Sequence, residues 1–393
     1  MNQDDFHKLI SGEKSGFGAM VLRYLLGAAS AGYSLAIRYH NFLYSKGWLK
    51  ADHVNATVIC IGNITAGGTG KTPLAVWLCK QILQNPKFQI STSGCSILTR
   101  GYKANQSLKL KSQHYMDEVA IHAESNLGVK VIVNPDRVAG AAEAISKFGV
   151  QLLIMDDGFQ HRRLARDLDI VAIDATLPFG YGRMLPAGLL REPVTELKRA
   201  DAVVITRCEQ ADEVELNVLE EKLRVFNPAL IIARSLHAPV CMKSQTGEEF
   251  SIEKLKGKKI FAFCGIGNPD AFFNTIKALG AELVGSKIYN DHYHYTNKDM
   301  DDIYEQAGGA MACPKADWIL TTEKDRTKIA DSNIAGHRGK KKELNPKDTQ
   351  YQIPLAYLEV EIRFTSGEDK LKRLIEDTLG GKIPKKQLNK AKK

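Results

Sequence analysis

TVICIGNITAGGTGKTPLAVWL, residues 57–78, begins as a strand and ends as a helix. Thr57-Val58-Ile59-Cys60-Ile61 is a short β-branched run bounded by Gly62, the pattern of a buried strand. A loop with Gly62, Gly67, Gly68 and Gly70 follows, and Lys71-Thr72 open an apolar segment of helical period. Strand, glycine loop, Lys-Thr and helix form a phosphate-cradling P-loop in that order. Glycines let backbone N–H groups close on phosphate oxygens, and the helix N-terminus adds its positive end. Thr65, Ala66, Gly67, Gly68, Thr69 and Gly70 would wrap the phosphates, Lys71 would reach the β- and γ-phosphates of a nucleotide, and the Thr72 hydroxyl would hold Mg²⁺. The usual first glycine of this pattern is Thr65. The competing reading is a plain Gly-rich turn between strand and helix.

Outward from the P-loop, strands and helices alternate, which predicts an α/β fold with a mostly parallel sheet covered on both faces. Strands are expected at 96–99, 130–133, 151–155, 168–173, 202–206 and 230–233, with helices at 136–148 and 211–226. The pattern loosens near His237, and the polar run 243–249 reads as a linker. A second, smaller alternation follows: strands at 259–264, 282–288, 318–321 and 355–362, and helices at 269–279, 297–306 and 369–379. The expected organisation is an N-terminal membrane-associated helix (1–50), a P-loop domain (51–236), a linker (237–258), a smaller α/β lobe (259–379) and a basic tail (380–393). The tail carries six lysines and no acid from 382 onward, the composition of a solvated, disordered end.

The chain has 393 residues, 44% hydrophobic and 25% charged, ordinary values for a globular protein with a real core. Seven scattered cysteines without a C-x-x-C pair argue for a reducing compartment and against a zinc site. The formal charge of +9 suits nucleic acid, an anionic membrane or a phosphorylated substrate. The N-terminus narrows that choice. No Asp or Glu occurs from 14 to 51, residues 20–37 are apolar or small apart from Arg23 and two serines, and aromatics run from Phe17 to Trp48. That is the dress of a helix lying in a membrane interface rather than crossing it; the alternative is a core helix packed on the sheet. Basic residues are not interleaved with aromatics on one face elsewhere, so no nucleic-acid partner is expected.

Three stretches bear chemistry beyond the P-loop. The apolar strand at 151–155 ends in Asp156-Asp157, where a carboxylate beside the P-loop would meet a nucleotide-bound Mg²⁺. The Gly- and Pro-rich loop 179–188 runs into Arg191-Glu192, which fits either phosphate and metal contacts or an ordinary surface pair. Asn290-Asp291-His292-Tyr293-His294 gathers two histidines beside an acid; a zinc site there lacks a nearby cysteine.

Taken together, GNITAGGTGKTP (62–73), TRGYK (99–103), DE (117–118), NPDRVAGA (134–141), DDGFQHRRLARDLDI (156–170), FGYGRMLPAGLLREP (179–193), GIGNPDAFF (265–273), YNDHYHYT (289–296) and TEKD (322–325) resemble the tetraacyldisaccharide 4′-kinases. That family shares the threonine at the position of Thr65. The resemblance implies transfer of the γ-phosphate of ATP to the 4′-hydroxyl of a tetraacylated glucosamine disaccharide 1-phosphate, a lipid substrate, in lipid A synthesis. It also implies attachment to the cytoplasmic face of the bacterial inner membrane through the N-terminal helix. By the same resemblance, Asp157 and Glu192 would serve Mg²⁺ directly or through water, Asp117 would be the catalytic acid residue with His292 as its partner, Arg137 and Arg191 would stabilise phosphate charge, and Gln160 would lie beside them. Met116 and Val119 flank the acidic pair where the family has Gly and Pro, and Tyr293 stands where it has a second His. The basic run at 337–347, with Lys340–Lys342, and the lysine tail lie outside the shared pattern and are assigned to anionic lipid. The rival class is a membrane-associated P-loop ATPase or GTPase switch. A GTPase would show an N-K-x-D loop, and Thr322-Glu323-Lys324-Asp325 places its lysine one position too late.

Overall fold

The computed structural model describes residues 3–101, 128–291, 293–308, 315–330 and 353–381. Asp117, Glu118, His292, the basic run at 337–347 and the tail from 382 lie outside the described residues.

β1 (Thr57–Gly62) is buried along almost its whole length because it lies inside the sheet, between β4 (Leu152–Asp156) and β5 (Leu168–Asp174), and pairs with both in parallel. β2 (Cys95–Thr99) and β3 (Lys130–Val133) extend the sheet beyond β4; β6 (Ala202–Thr206) and β7 (Ile231–Ser244) extend it beyond β5, all in parallel. The second half is likewise parallel: β12 (Leu355–Ser366), β11 (Trp318–Thr322), β9 (Lys259–Cys264) and β10 (Glu282–Ile288), in that order. β7 and β12 join the halves as the antiparallel seam of one twelve-stranded sheet, and β8 (Glu249–Ser251) pairs with β7.

Two expectations change here. The stretch expected as a linker, 237–258, opens inside β7 and turns through a hairpin into β8. Its polar residues sit on a ribbon that is only half covered, while Met242 points into the core; the polarity reflects strand alternation, not a spacer. The N-terminal segment is two helices, α1 (Gln3–Ser11) and α2 (Phe17–Ser45), separated at Gly12 and Gly16, both with positive φ.

α2 is apolar on the outside. Phe17, Tyr24 and Leu35 are 78%, 79% and 71% exposed, whereas its buried residues are Ser30, Asn41 and Tyr44. A core helix would show the reverse. By length and composition α2 could cross a membrane, with a mean hydropathy of 1.3, and its exposed face is the kind that meets lipid or a partner.

Candidate active site

The carboxyl ends of the parallel strands in both halves open on one cavity of about 1260 Å³, the usual place for a ligand in such sheets. After β1 come Ala66–Thr72, after β2 Arg100, after β4 Asp157 and Gln160, after β6 Arg207; from the second half come Gly267 and Asn268 after β9 and Lys324 after β11.

Helix α3 (Lys71–Leu83) starts from Gly70 in a left-handed conformation (φ 81°), and no side chain among the described residues caps it. Its first-turn N–H groups are therefore left for an acceptor from outside the helix, and the dipole favours an anion there. A Cβ at Gly70 would stand 2.5 Å from His237 Nε2, so glycine is required by both conformation and space. The loop is pinned on three sides: Asn63 Nδ2 donates to Thr69 Oγ1 (3.0 Å), Gln160 Nε2 donates to the Asn63 carbonyl (2.8 Å), and Thr206 Oγ1 donates to the Thr69 carbonyl (3.0 Å). Thr65 needs no glycine because its backbone is extended and bridged to Leu190. Flanking that bridge, Ala66 N–H donates to the Leu189 carbonyl and Arg191 N–H to the Ile64 carbonyl, each at 2.7 Å.

Asp157 follows β4 with φ 52°, a left-handed conformation that aspartate tolerates better than most residues. Both carboxylate oxygens accept from Arg191 Nη1 (2.9 and 3.0 Å), and Lys71 Nζ lies 3.4 Å away. Burial works against its ionisation, but the Lys71 and Arg191 charges outweigh this and hold the carboxyl well below its usual range. Arg137 is 2% exposed. It opens the helix Arg137–Phe148 behind the N-cap Asp136 and donates to the Asn134 carbonyl (2.8 Å) and the Asp156 carbonyl (3.4 Å). Burial lowers its pKa to about 10, against the opposing pull of Asp156 and Asp157, so it remains a cation at neutral pH.

Among the described residues, two expected site residues do not line the cavity: Thr65, which is buried and bridged to Leu190, and Glu192. Glu192 is buried behind Arg191, where Oε2 accepts from Asn41 Nδ2 of α2 (3.0 Å) and from Arg199 Nη2, while Oε1 has no hydrogen-bond partner among the described residues. Thus Lys71, Thr72, Arg137, Asp157, Gln160 and Arg191 converge on the cavity with the P-loop backbone, Glu192 stands one layer back, and Asp117 and His292 fall outside the described residues.

Sequence reading missed four contributors. Arg207, left-handed at the end of β6, pairs with Asp174; Asn268 Nδ2 donates to the same carboxylate (3.0 Å) and to Thr176 Oγ1 (2.9 Å), tying the second half to the first. Lys324 Nζ lies 2.9 Å from Asp291 at the cavity edge. His237 faces Gly70; burial, with the Arg207 charge, pushes its pKa well below the usual value and keeps it neutral. Arg207 was findable as a charged residue at a strand's carboxyl end, whereas His237 lay where the strand pattern was read as fading. Across the cavity, Gly267 meets the P-loop backbone to backbone: a Cβ there would lie 2.5 Å from Gly68 N and 2.7 Å from Gly67 Cα. Behind Gly267, Asp325 accepts from Gly265 N–H (3.0 Å) and Thr322 Oγ1 (2.7 Å), and buried Lys328 donates to Asp325 (3.2 Å) and the Gly265 carbonyl (3.3 Å).

An uncapped helix after a glycine loop, with Lys71, Arg137, Arg191 and Asp157 around it on a parallel sheet, defines a P-loop NTPase-like phosphotransferase. A profile of the LpxK family, tetraacyldisaccharide-1-P 4′-kinase, matches residues 22–380, and the chain belongs to that family. It is 34% identical over 340 residues to the tetraacyldisaccharide 4′-kinase of Halothermothrix orenii, covering 82% of this chain and 87% of that one. To the Anaeromyxobacter sp. (strain Fw109-5) protein of the same name it is 37% identical over 309 residues, covering 75% and 80%. A crystal structure of the "apo" form of LpxK from Aquifex aeolicus in complex with ATP superposes with a TM-score of 0.64 at 28% identity, covering 91% of this chain and 99% of that one.

Proposed function

We propose that this protein transfers the γ-phosphate of ATP to the 4′-hydroxyl of tetraacyldisaccharide 1-phosphate in the cavity at the carboxyl ends of β1 and β4. Family membership carries the kinase activity. The observation that supports this cavity as the place is that the phosphate-binding glycines and Tyr33 of the apolar helix α2 line the same space. A nucleotide site and a lipid-facing element share one border.

In this reading, Ala66–Gly70 and the first turn of α3 wrap the β- and γ-phosphates, with Lys71 neutralising their charge. Arg137 and Arg191 stabilise the charge that spreads over the phosphoryl oxygens at transfer. Mg²⁺ fits two donors that line the cavity: the Thr72 hydroxyl at the start of α3 and the Asp157 carboxylate just past the end of β4 are both hard oxygens. Thr72 and Asp157 would hold the ion, with Glu192 one layer back serving it through water, and the ion would draw charge from the phosphate oxygens. Asp117 accepts the proton of the sugar hydroxyl and His292 orients it. The exposed face of α2 lies against the cytoplasmic face of the inner membrane, where lipid and ATP are both in reach. A P-loop switch of another family would not need an acceptor site beside an apolar helix.

Incubating the full-length protein with labelled ATP, Mg²⁺ and the lipid disaccharide in detergent micelles should yield a lipid bearing a second phosphate. Hydrolysis of ATP without phosphate on the lipid would refute the reading.

A further inference from the structure

Helix α2 carries apolar side chains outward and a row of hydrogen-bond donors inward. Ser30 Oγ donates to the Met184 carbonyl (2.8 Å), Tyr33 Oη to the Arg191 carbonyl (2.9 Å) and Asn41 Nδ2 to the Glu192 carboxylate (3.0 Å). All three acceptors lie on the loop 184–192, which is itself paired with residues 64–66 of the P-loop. A return contact comes from the turn after β4: Arg162 Nη1 donates to the Asn41 carbonyl (3.1 Å), and its guanidinium stands 5.0 Å over the Tyr44 ring. The helix therefore grips both segments that carry the Asp157–Arg191 pair.

An anchor needs none of this. Burying a side-chain amide costs free energy unless it is partnered, and Asn41 is buried with its amide directed at a carboxylate of the active-site loop. Tyr33 fixes the main chain of the residue whose guanidinium holds Asp157. We infer that Tyr33 and Asn41 are positioning residues for phosphoryl transfer, setting Arg191 and Glu192 against the P-loop, so that the helix facing the lipid also orients the groups facing the phosphate. This rests on the kinase reading above. Contacts that support a group from behind in this way are typically worth about 10–100-fold in activity.

The test uses the full-length protein, Asn41→Leu, Asn41→Gln and Tyr33→Phe, with Leu35→Ser on the exposed face as the contrasting variant. Asn41→Leu should lower kcat by about 10–100-fold and Tyr33→Phe, which loses one hydrogen bond, by about 3–10-fold. The KM for lipid and co-sedimentation with anionic phospholipid vesicles should stay near wild type, and Asn41→Gln, which keeps a donor, should recover part of the lost kcat. Hydrogen exchange of the amides in 184–192 should quicken in Asn41→Leu and Tyr33→Phe while that of β1 does not. Leu35→Ser should weaken vesicle binding without changing kcat in detergent. If instead Tyr33→Phe and Asn41→Leu weaken vesicle binding or raise the lipid KM at unchanged kcat, the helix is an anchor only and the inference is wrong. If the wild-type protein phosphorylates no lipid disaccharide, the kinase reading falls, and the exchange measurement still decides the positioning role: unchanged exchange in 184–192 overturns it. Should Asn41→Leu fail to fold, Tyr33→Phe alone, which removes one hydroxyl, carries the same two outcomes.

Discussion

Asp157→Asn should produce two opposite changes. In the structure the Asp157 carboxylate holds Arg191 at 2.9 Å and Lys71 at 3.4 Å, so both cations are engaged before any nucleotide arrives. A phosphate resting on Lys71 would sit about 6 Å from that carboxylate, a repulsion of about 3 kcal/mol per unit charge at an effective dielectric of about 20. Screening over a Debye length of about 8 Å roughly halves it, leaving about 1.4 kcal/mol, or about tenfold in affinity. Without divalent cation, ATP should therefore bind Asp157→Asn about tenfold more tightly than wild type. With Mg²⁺, turnover should fall by at least about 100-fold, because the substituted amide neither neutralises the ion nor restrains Lys71 and Arg191. Titration calorimetry with ATP in EDTA, beside kinase assays in Mg²⁺, reads both. Equal or weaker binding of metal-free ATP by the variant would show that Asp157 does not face the phosphates. A pH dependence follows from the same pair. The folded carboxyl ionises below its ordinary range, so its stabilising contribution is fully present above about pH 4, the unfolded value, and is lost as pH falls toward the lower folded one. The difference in Tm between wild type and Asp157→Asn should shrink as pH is taken from 7 to below 4.

Other expectations concern separate parts of the molecule. Lys71→Ala should abolish turnover with a wild-type circular dichroism spectrum; an active variant that still requires ATP would remove the P-loop from the centre of the mechanism. Lys328→Met should destabilise the fold by about 3–5 kcal/mol in urea unfolding, since it leaves the fully buried Asp325 carboxylate without its cation; a loss under about 1 kcal/mol would mean the carboxylate is satisfied by Gly265 and Thr322 alone. Asp117→Asn should lower kcat by about 10²–10⁴-fold with ATP affinity little changed, and His292→Ala similarly or less. Combining the two should be barely worse than Asp117→Asn, as for groups acting as one unit; multiplicative losses at pH 7 would dissolve the dyad.

What could be read from the sequence was whatever depends on neighbours along the chain. The P-loop and Asp157 at the end of its strand are each set by spacing within a dozen residues, Arg137 came only from the family resemblance, and the structure brings the three to one cavity. The β7–β12 seam pairs residues more than a hundred positions apart, such as Met242 with Leu358. No local pattern announces such a partner, so half-covered polar alternation passed for a linker. Glu192 shows the same limit: its neighbour Asn41 lies 151 residues away, and adjacency to Arg191 suggested a cavity position that burial denies it. The inner face of α2 was legible in part. Ser30, Tyr33, Ile37, Asn41 and Tyr44 recur at intervals of three and four, but the apolar run around them drew attention to the outer face, where polar residues were counted as interruptions.

Gly267 has a bearing on how this enzyme would answer a drug. Where it meets Gly67 and Gly68, two main chains touch with no side chain between them. A compound bonded along that seam would read peptide groups, which no codon change alters. The usual route to resistance, exchanging a contact side chain for a bulkier one, is shut at residue 267, since the first carbon added would strike the P-loop before it reached the inhibitor. On the Gly267 side, escape would have to come from Ile266 or Asn268, and Asn268 already ties the two halves together through Asp174 and Thr176. Among the described residues Ile266 shows no such tie, so an inhibitor that avoids its side chain would leave fewer single-step ways out.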